Sequence, residues 1–145
     1  MITGANAGFG RRLAALVYDF LLLAALLMIY TGGALFFTRG AAMVPATAGA
    51  WVYVYRAGLV LVIGGYYVIN WLRSGQTLGM RAWRLRVVTV SGQPPALKAA
   101  ALRAVFGALA WAPVGLGVLW MYVDPDHLAL HDRLSKTRVI HLARS

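Results

Sequence analysis

Three apolar runs, each broken by a single charge, decide what this chain can fold into. Residues 13–37 hold Asp19 as their only charge, residues 51–72 hold Arg56, and residues 99–123 hold Arg103. A helical crossing of the ~30 Å hydrocarbon layer takes about 20 apolar residues at ~1.5 Å each, so every run is long enough. Lipid offers no partner to a backbone N–H or C=O, so the runs are expected as helices. Composition agrees, with 61% hydrophobic and 12% charged residues. The expected fold class is an all-α membrane protein of one domain over residues 1–145. It has two transmembrane helices plus a third, broken apolar segment.

Arg11 and Arg12 resemble the charged start of a signal peptide. The run that follows exceeds the usual ~7–15 apolar residues and carries an acid, so it reads as a retained span. The chain has no cysteine, which removes disulfides, thiolate metal sites and cysteine nucleophiles. A net charge of +10 would suit nucleic acid. The basic residues flank the apolar runs, however, which is the pattern of the positive-inside rule and of anionic headgroups. Expected partners are therefore a bilayer with anionic lipids, and no nucleic acid.

The connection between the first two runs carries one cation, Arg39. The segment 74–98 is far more basic, with Arg73, Arg81, Arg84, Arg86 and Lys98 in or beside it. This asymmetry predicts that the N-terminus and the 74–98 loop lie in the cytoplasm. The third run either crosses or returns. Its middle reads WAPVGLG, with Pro113, Gly115 and Gly117, a strong helix interruption. A return places twelve of the fourteen basic residues on the inside, and a crossing only eight. RAWRLRVVTV alternates Trp83, Leu85 and Val87 with Arg84 and Arg86, a period-two strand. KTRVIHL in the tail, residues 124–145, is its natural partner. Pairing would form a small cytoplasmic two-stranded β element and needs both on one side, so a cytoplasmic C-terminus is favoured.

Candidate chemistry centres on Asp19, because an intramembrane acid costs about 2.5–3.5 kcal/mol on insertion scales and needs compensation. Asp19 lies about 9 Å into the core, and Arg103 enters from the same side to a similar depth. An Asp19–Arg103 pair is expected, with Asn70 or Tyr67 completing the polar cluster. Arg56 should snorkel to the opposite face. The turn SGQTLGMR follows the second run, and Gly75, Thr77, Gly79, Arg81 and Arg84 are candidates for holding a lipid phosphate. The alternative is a plain membrane-exit turn. Asp124-Pro125 reads as a helix start, which would put His127 and His131 on one face at i, i+4. No glutamate base stands between them, so the zinc-protease pattern fails, and a solvated interfacial helix needs no metal; no cofactor is expected. No nucleophile–base set or phosphate-binding loop is present, and an enzyme is not expected.

Three stretches, AGFGRRLAALVYDFLLL, SGQTLGMRAWRLRVV and LHDRLSKTRVI, together with Arg103 and GLGVLW, resemble the RDD family of small bacterial membrane proteins. The resemblance covers most of the chain in the expected order. It implies that the family's marked arginine and two aspartates are Arg12, Asp19 and Asp132. Lys136 departs from the pattern, where relatives more often carry a small residue. Some relatives are linked to monovalent cation/proton exchange, and others serve as anchoring domains. Asp132 is expected to tie the tail to Arg81 or Arg84. The leading functional expectation is transport or binding of a monovalent cation or proton through Asp19. With so few helices, that requires a homo-oligomer. The rival is a non-catalytic membrane scaffold or assembly partner.

Overall fold

Helix α1 (Phe9–Phe37) begins four residues before the first apolar run and is about 43 Å long, beyond the ~30 Å a bilayer core needs. A computed structural model describes residues 4–41, 44–111 and 115–142; Pro113 and Arg144 lie outside the described residues. A short helix α2 (Pro45–Ala48) leads into α3 (Trp51–Ser74), the second helix long and apolar enough to cross a membrane. Gly75 ends α3 in the left-handed region at φ 69°, which a residue lacking Cβ adopts without strain. A single turn, α4 (Leu78–Ala82), then precedes strand β2 (Leu85–Thr89).

The third apolar run is indeed broken. Helix α5 (Leu97–Trp111) is about 22 Å long, short of a crossing. A second short helix, α6 (Leu116–Leu119), packs back onto it, so closely that a Cβ on Gly117 would lie 2.7 Å from Ala110 Cα. A 3-10 turn (Trp120–Tyr122) leads toward α7 (Leu130–Leu134) and strand β3 (Thr137–His141). The helix expected after Asp124-Pro125 does not form there. Asp124 Oδ2 instead accepts from the N–H groups of Asp126 and Leu128, and His127 takes φ 52°. His127 and His131 therefore do not share a helical face.

The β element has three strands rather than the expected two, in the order β1-β3-β2 with all pairs antiparallel. The added strand β1 is only Ala5–Asn6, too short to leave an alternation pattern. Register runs from Leu85 opposite His141 to Thr89 opposite Thr137. Lys136 enters β3 at φ 53°, in the left-handed region that any residue with a Cβ adopts at a cost. Since β1 precedes α1, β2 follows α3 and β3 lies in the tail, all three segments occupy one end of the molecule.

The main core sits at that same end. Ala7, Ala15, Trp71, Met80, Leu85, Val87, Ala100 and Val139 pack together, with Tyr67, Val68 and Ala104 against them. Farther along, α1 and α3 meet through Tyr30, Thr31 and Tyr55. Tyr30 and Tyr55 stack at 5.5 Å, and Thr31 Oγ1 and the Tyr55 hydroxyl share a hydrogen bond of 2.9 Å. The most apolar stretches of the two helices are 17% and 6% buried, leaving their apolar faces for lipid or another helix. Arg56 is exposed, as snorkelling requires.

The register has a direct check, since the chain has no native cysteine. Oxidation of a Val88→Cys/Arg138→Cys variant should cross-link these directly opposed positions. Val88→Cys/Lys136→Cys, displaced diagonally, should cross-link far more slowly. Equal rates would reject the register.

Candidate functional site

Helix α1 buries one narrow stripe, Arg12, Ala15, Asp19 and Leu23, and this stripe feeds two separate polar clusters. Their spacing of three and four residues keeps them on one face.

The first cluster centres on Asp132, which is fully buried. Arg12 Nη1 bonds its Oδ2 at 2.5 Å, and Arg103 Nη1 bonds its Oδ1 at 2.6 Å. The N–H of Ala129 also donates to Oδ2, so the same carboxylate caps α7. Arg103 Nη1 donates to Thr137 Oγ1 at 2.7 Å, and the guanidinium lies 5.3 Å above the Trp71 ring. Arg12 Nε donates to the Ala7 carbonyl at 2.9 Å. One carboxylate therefore joins the start of α1, the middle of α5 and the tail.

Two guanidiniums against one carboxylate leave the cluster positive, and His131 adds nothing to that excess because it stays neutral. Burial, and then the nearby Arg103, lower its pKa from 6.5 to about 3. Burial alone would raise the Asp132 pKa, but Arg103 and Arg12 outweigh it and hold the carboxyl well below the usual range.

The second cluster surrounds Asp19, with no cation paired to it among the described residues. Asp19 Oδ1 accepts from the Tyr66 hydroxyl at 2.6 Å and from the Gly79 N–H at 2.9 Å. Oδ2 accepts from Thr77 Oγ1 at 2.5 Å. Thr77 is also the N-cap of α4, accepting from the Met80 N–H. Hydrogen bonds to a charged acceptor contribute about 1.5–3 kcal/mol each, so three of them offset the cost of burying the acid. The approach needs glycine at residue 79, where any Cβ would strike the Ala15 carbonyl oxygen and stand 2.9 Å from Asp19 Cγ.

The expected Asp19–Arg103 pair is replaced by these two clusters. Helix rise gives depth but not direction: Arg103 faces the tail, where Asp132 is available. Tyr66 takes the role expected of Tyr67 or Asn70. Asn70 lies one turn beyond Tyr66 on the same face and donates its amide to the Tyr66 carbonyl. Tyr67 packs its ring between Tyr66 and Trp71, 5.3 Å from each, instead of hydrogen-bonding the carboxylate. Asp132 pairs with Arg12 and Arg103, not with Arg81 or Arg84, because α7 packs against α5. In the SGQTLGMR turn, the Thr77 hydroxyl and the Gly79 N–H are engaged by Asp19, Gly75 caps α3, and Arg81 and Arg84 remain exposed.

Three measurements test this geometry. Asp132→Asn leaves two buried guanidiniums without a counter-charge and should cost about 3–5 kcal/mol, read as denaturant resistance in detergent. Gly79→Val should also destabilise, by forcing α4 off α1; unchanged stability would reject the close approach. For His131, the folded pKa lies below 6.5, so protons favour the unfolded chain. Stability should fall as pH drops from about 6.5 toward 3, and His131→Gln should flatten that slope.

No curated protein and no solved structure gives a significant match to this chain. The sequence profile described as the RDD family matches residues 6–136, which include Arg12, Asp19, Arg103 and Asp132. The profile covers nearly the whole chain, both helices long and apolar enough to span a membrane, and, apart from Thr137, the residues that build both clusters. This chain belongs to the RDD family.

Proposed function

We propose that this protein is a non-catalytic membrane assembly module of the bacterial inner membrane. Helices α1 and α3 cross the bilayer, while the third apolar run enters and returns. The sheet and both polar clusters then face the cytoplasm or its interface. The observation that carries the reading is the occupancy of Asp19. Both its oxygens accept hydrogen bonds from α3 and from the turn after it, so the acid fastens α1 to that turn. The exposed apolar faces of α1 and α3 are the surfaces on which a second copy would pack, helix against helix.

A second reading, binding or movement of a monovalent cation or proton, is favoured by one feature of the same site. The Thr77 and Tyr66 hydroxyls and the Asp19 carboxylate gather oxygen atoms that suit a small hard cation.

Reconstituted protein separates the two. The assembly reading expects proton- and sodium-gradient flux in proteoliposomes no greater than in empty liposomes. Flux in the wild type that disappears in Asp19→Asn would overturn it in favour of ion movement. The topology has its own test in single-cysteine variants. Ser91→Cys and Lys136→Cys should react with an impermeant thiol reagent only after the inner membrane is opened. Ala41→Cys should react from the periplasm. Periplasmic labelling at Lys136→Cys would reject the returning third segment.

A further inference from the structure

The chain has four acidic residues against fourteen basic ones, and all four carboxylates are already engaged. Asp19 accepts from Tyr66, Thr77 and Gly79, and Asp132 holds Arg12 and Arg103. Asp124 and Asp126 both bond Arg133. The cations around the end of α3 therefore have no carboxylate partner among the described residues.

Two of those cations converge on one point. Arg81, one turn into α4, donates Nη2 to Ser74 Oγ at 3.1 Å. Arg86, on β2, donates Nε to the Ser74 carbonyl at 2.9 Å. Gly75 leaves room for the Arg86 side chain, since a Cβ there would come within 3.2 Å of Arg86 Cγ. Each guanidinium uses one N–H in this way, and its other four have no partner among the described residues. Arg73 stands one residue away, exposed in the last turn of α3. The surroundings are those of a membrane interface: Leu78 is half exposed, and Trp83 meets the Tyr18 ring edge-on at 6.5 Å.

We infer that Arg81 and Arg86, gathered by Ser74 whose own hydroxyl donates to the Asn70 and Gln76 carbonyls, form with Arg73 a cradle for the phosphate of an anionic phospholipid. Guanidinium is the group best matched to a phosphate, offering paired N–H donors to paired oxygens. Two guanidiniums drawn together without a counter-ion repel each other, and a phosphodiester between them removes that repulsion. This inference rests on the membrane reading above. It moves the lipid contact from Thr77 and Gly79, whose donors serve Asp19, to the opposite side of the same turn.

The test titrates the delipidated full chain in neutral detergent with short-chain phosphatidylglycerol, short-chain phosphatidylcholine or inorganic phosphate, following intrinsic tryptophan fluorescence. Phosphatidylglycerol should bind at least about tenfold more tightly than phosphatidylcholine. Each basic residue near an anionic surface contributes about a fivefold effect, so R81Q/R86Q should lose about 25-fold. R39Q, at the far end of α1, should bind as the wild type does. R81Q alone, at an exposed residue, should lose about fivefold and stands in if the double variant misfolds. Equal affinity for the two lipids, or an unaffected R81Q, would overturn the cradle. Inorganic phosphate binding as tightly as phosphatidylglycerol would overturn the lipid assignment in favour of a free anion. Carbonate washing of membranes keeps the two levels apart. Release of the protein would overturn the membrane reading, whereas retention without lipid preference overturns the cradle alone.

Discussion

A single buried carboxylate, Asp132, organises this molecule. Each of its oxygens is met by a guanidinium from a different part of the chain, Arg12 at the start of α1 and Arg103 within α5. Desolvated charges are tolerated only with close partners, so none of the three groups can settle without the other two. Their meeting point fixes where α1 begins, which face of α5 turns inward and how the tail returns. The sheet then follows, because β3 starts five residues after Asp132 and lies between β1 and β2.

Asp19 solves the same problem with different means. Neutral donors surround it, two of them from the α4 turn, and the nearby helix N-terminus favours a negative group. The two clusters lie seven residues apart on one face of α1 and so lock both ends of the same segment: the tail at Arg12, and the α3–α4 connection at Asp19. What remains of α1 and α3 is apolar and barely packed, consistent with helices whose other neighbours are lipid tails or a second protein. The excess of cations collects at the sheet end, where headgroup phosphates are the complementary surface.

Much of the architecture was legible because the physics behind it is periodic or compositional. The two long helices announce themselves by run length, and the antiparallel pairing of β2 and β3 by alternation around Leu85 and Val87. The break in the third run shows in its glycines. The strand Ala5–Asn6 left no such trace, since two residues carry no period. The turn after Asp124 is ambiguous in the sequence, because a proline after an aspartate suits a helix start and a capped loop equally well. Tyr66 was within reach of the sequence: it shares its face with Asn70 and Ser74 at intervals of four, whereas Tyr67 is rotated onto Trp71.

The sequence by itself determined the solvent each segment prefers, because hydropathy and charge are local properties of the chain. It also singled out the few charged side chains that burial would force into partnership. Which acid meets which arginine was decided only by the tertiary structure. Arg103 and Asp19 share a depth, but depth along a helix says nothing of the direction a side chain faces. That direction was set when α7 packed on α5 and brought Asp132 to Arg103. The α4 turn, in the same way, brought Thr77 and the Gly79 N–H to Asp19.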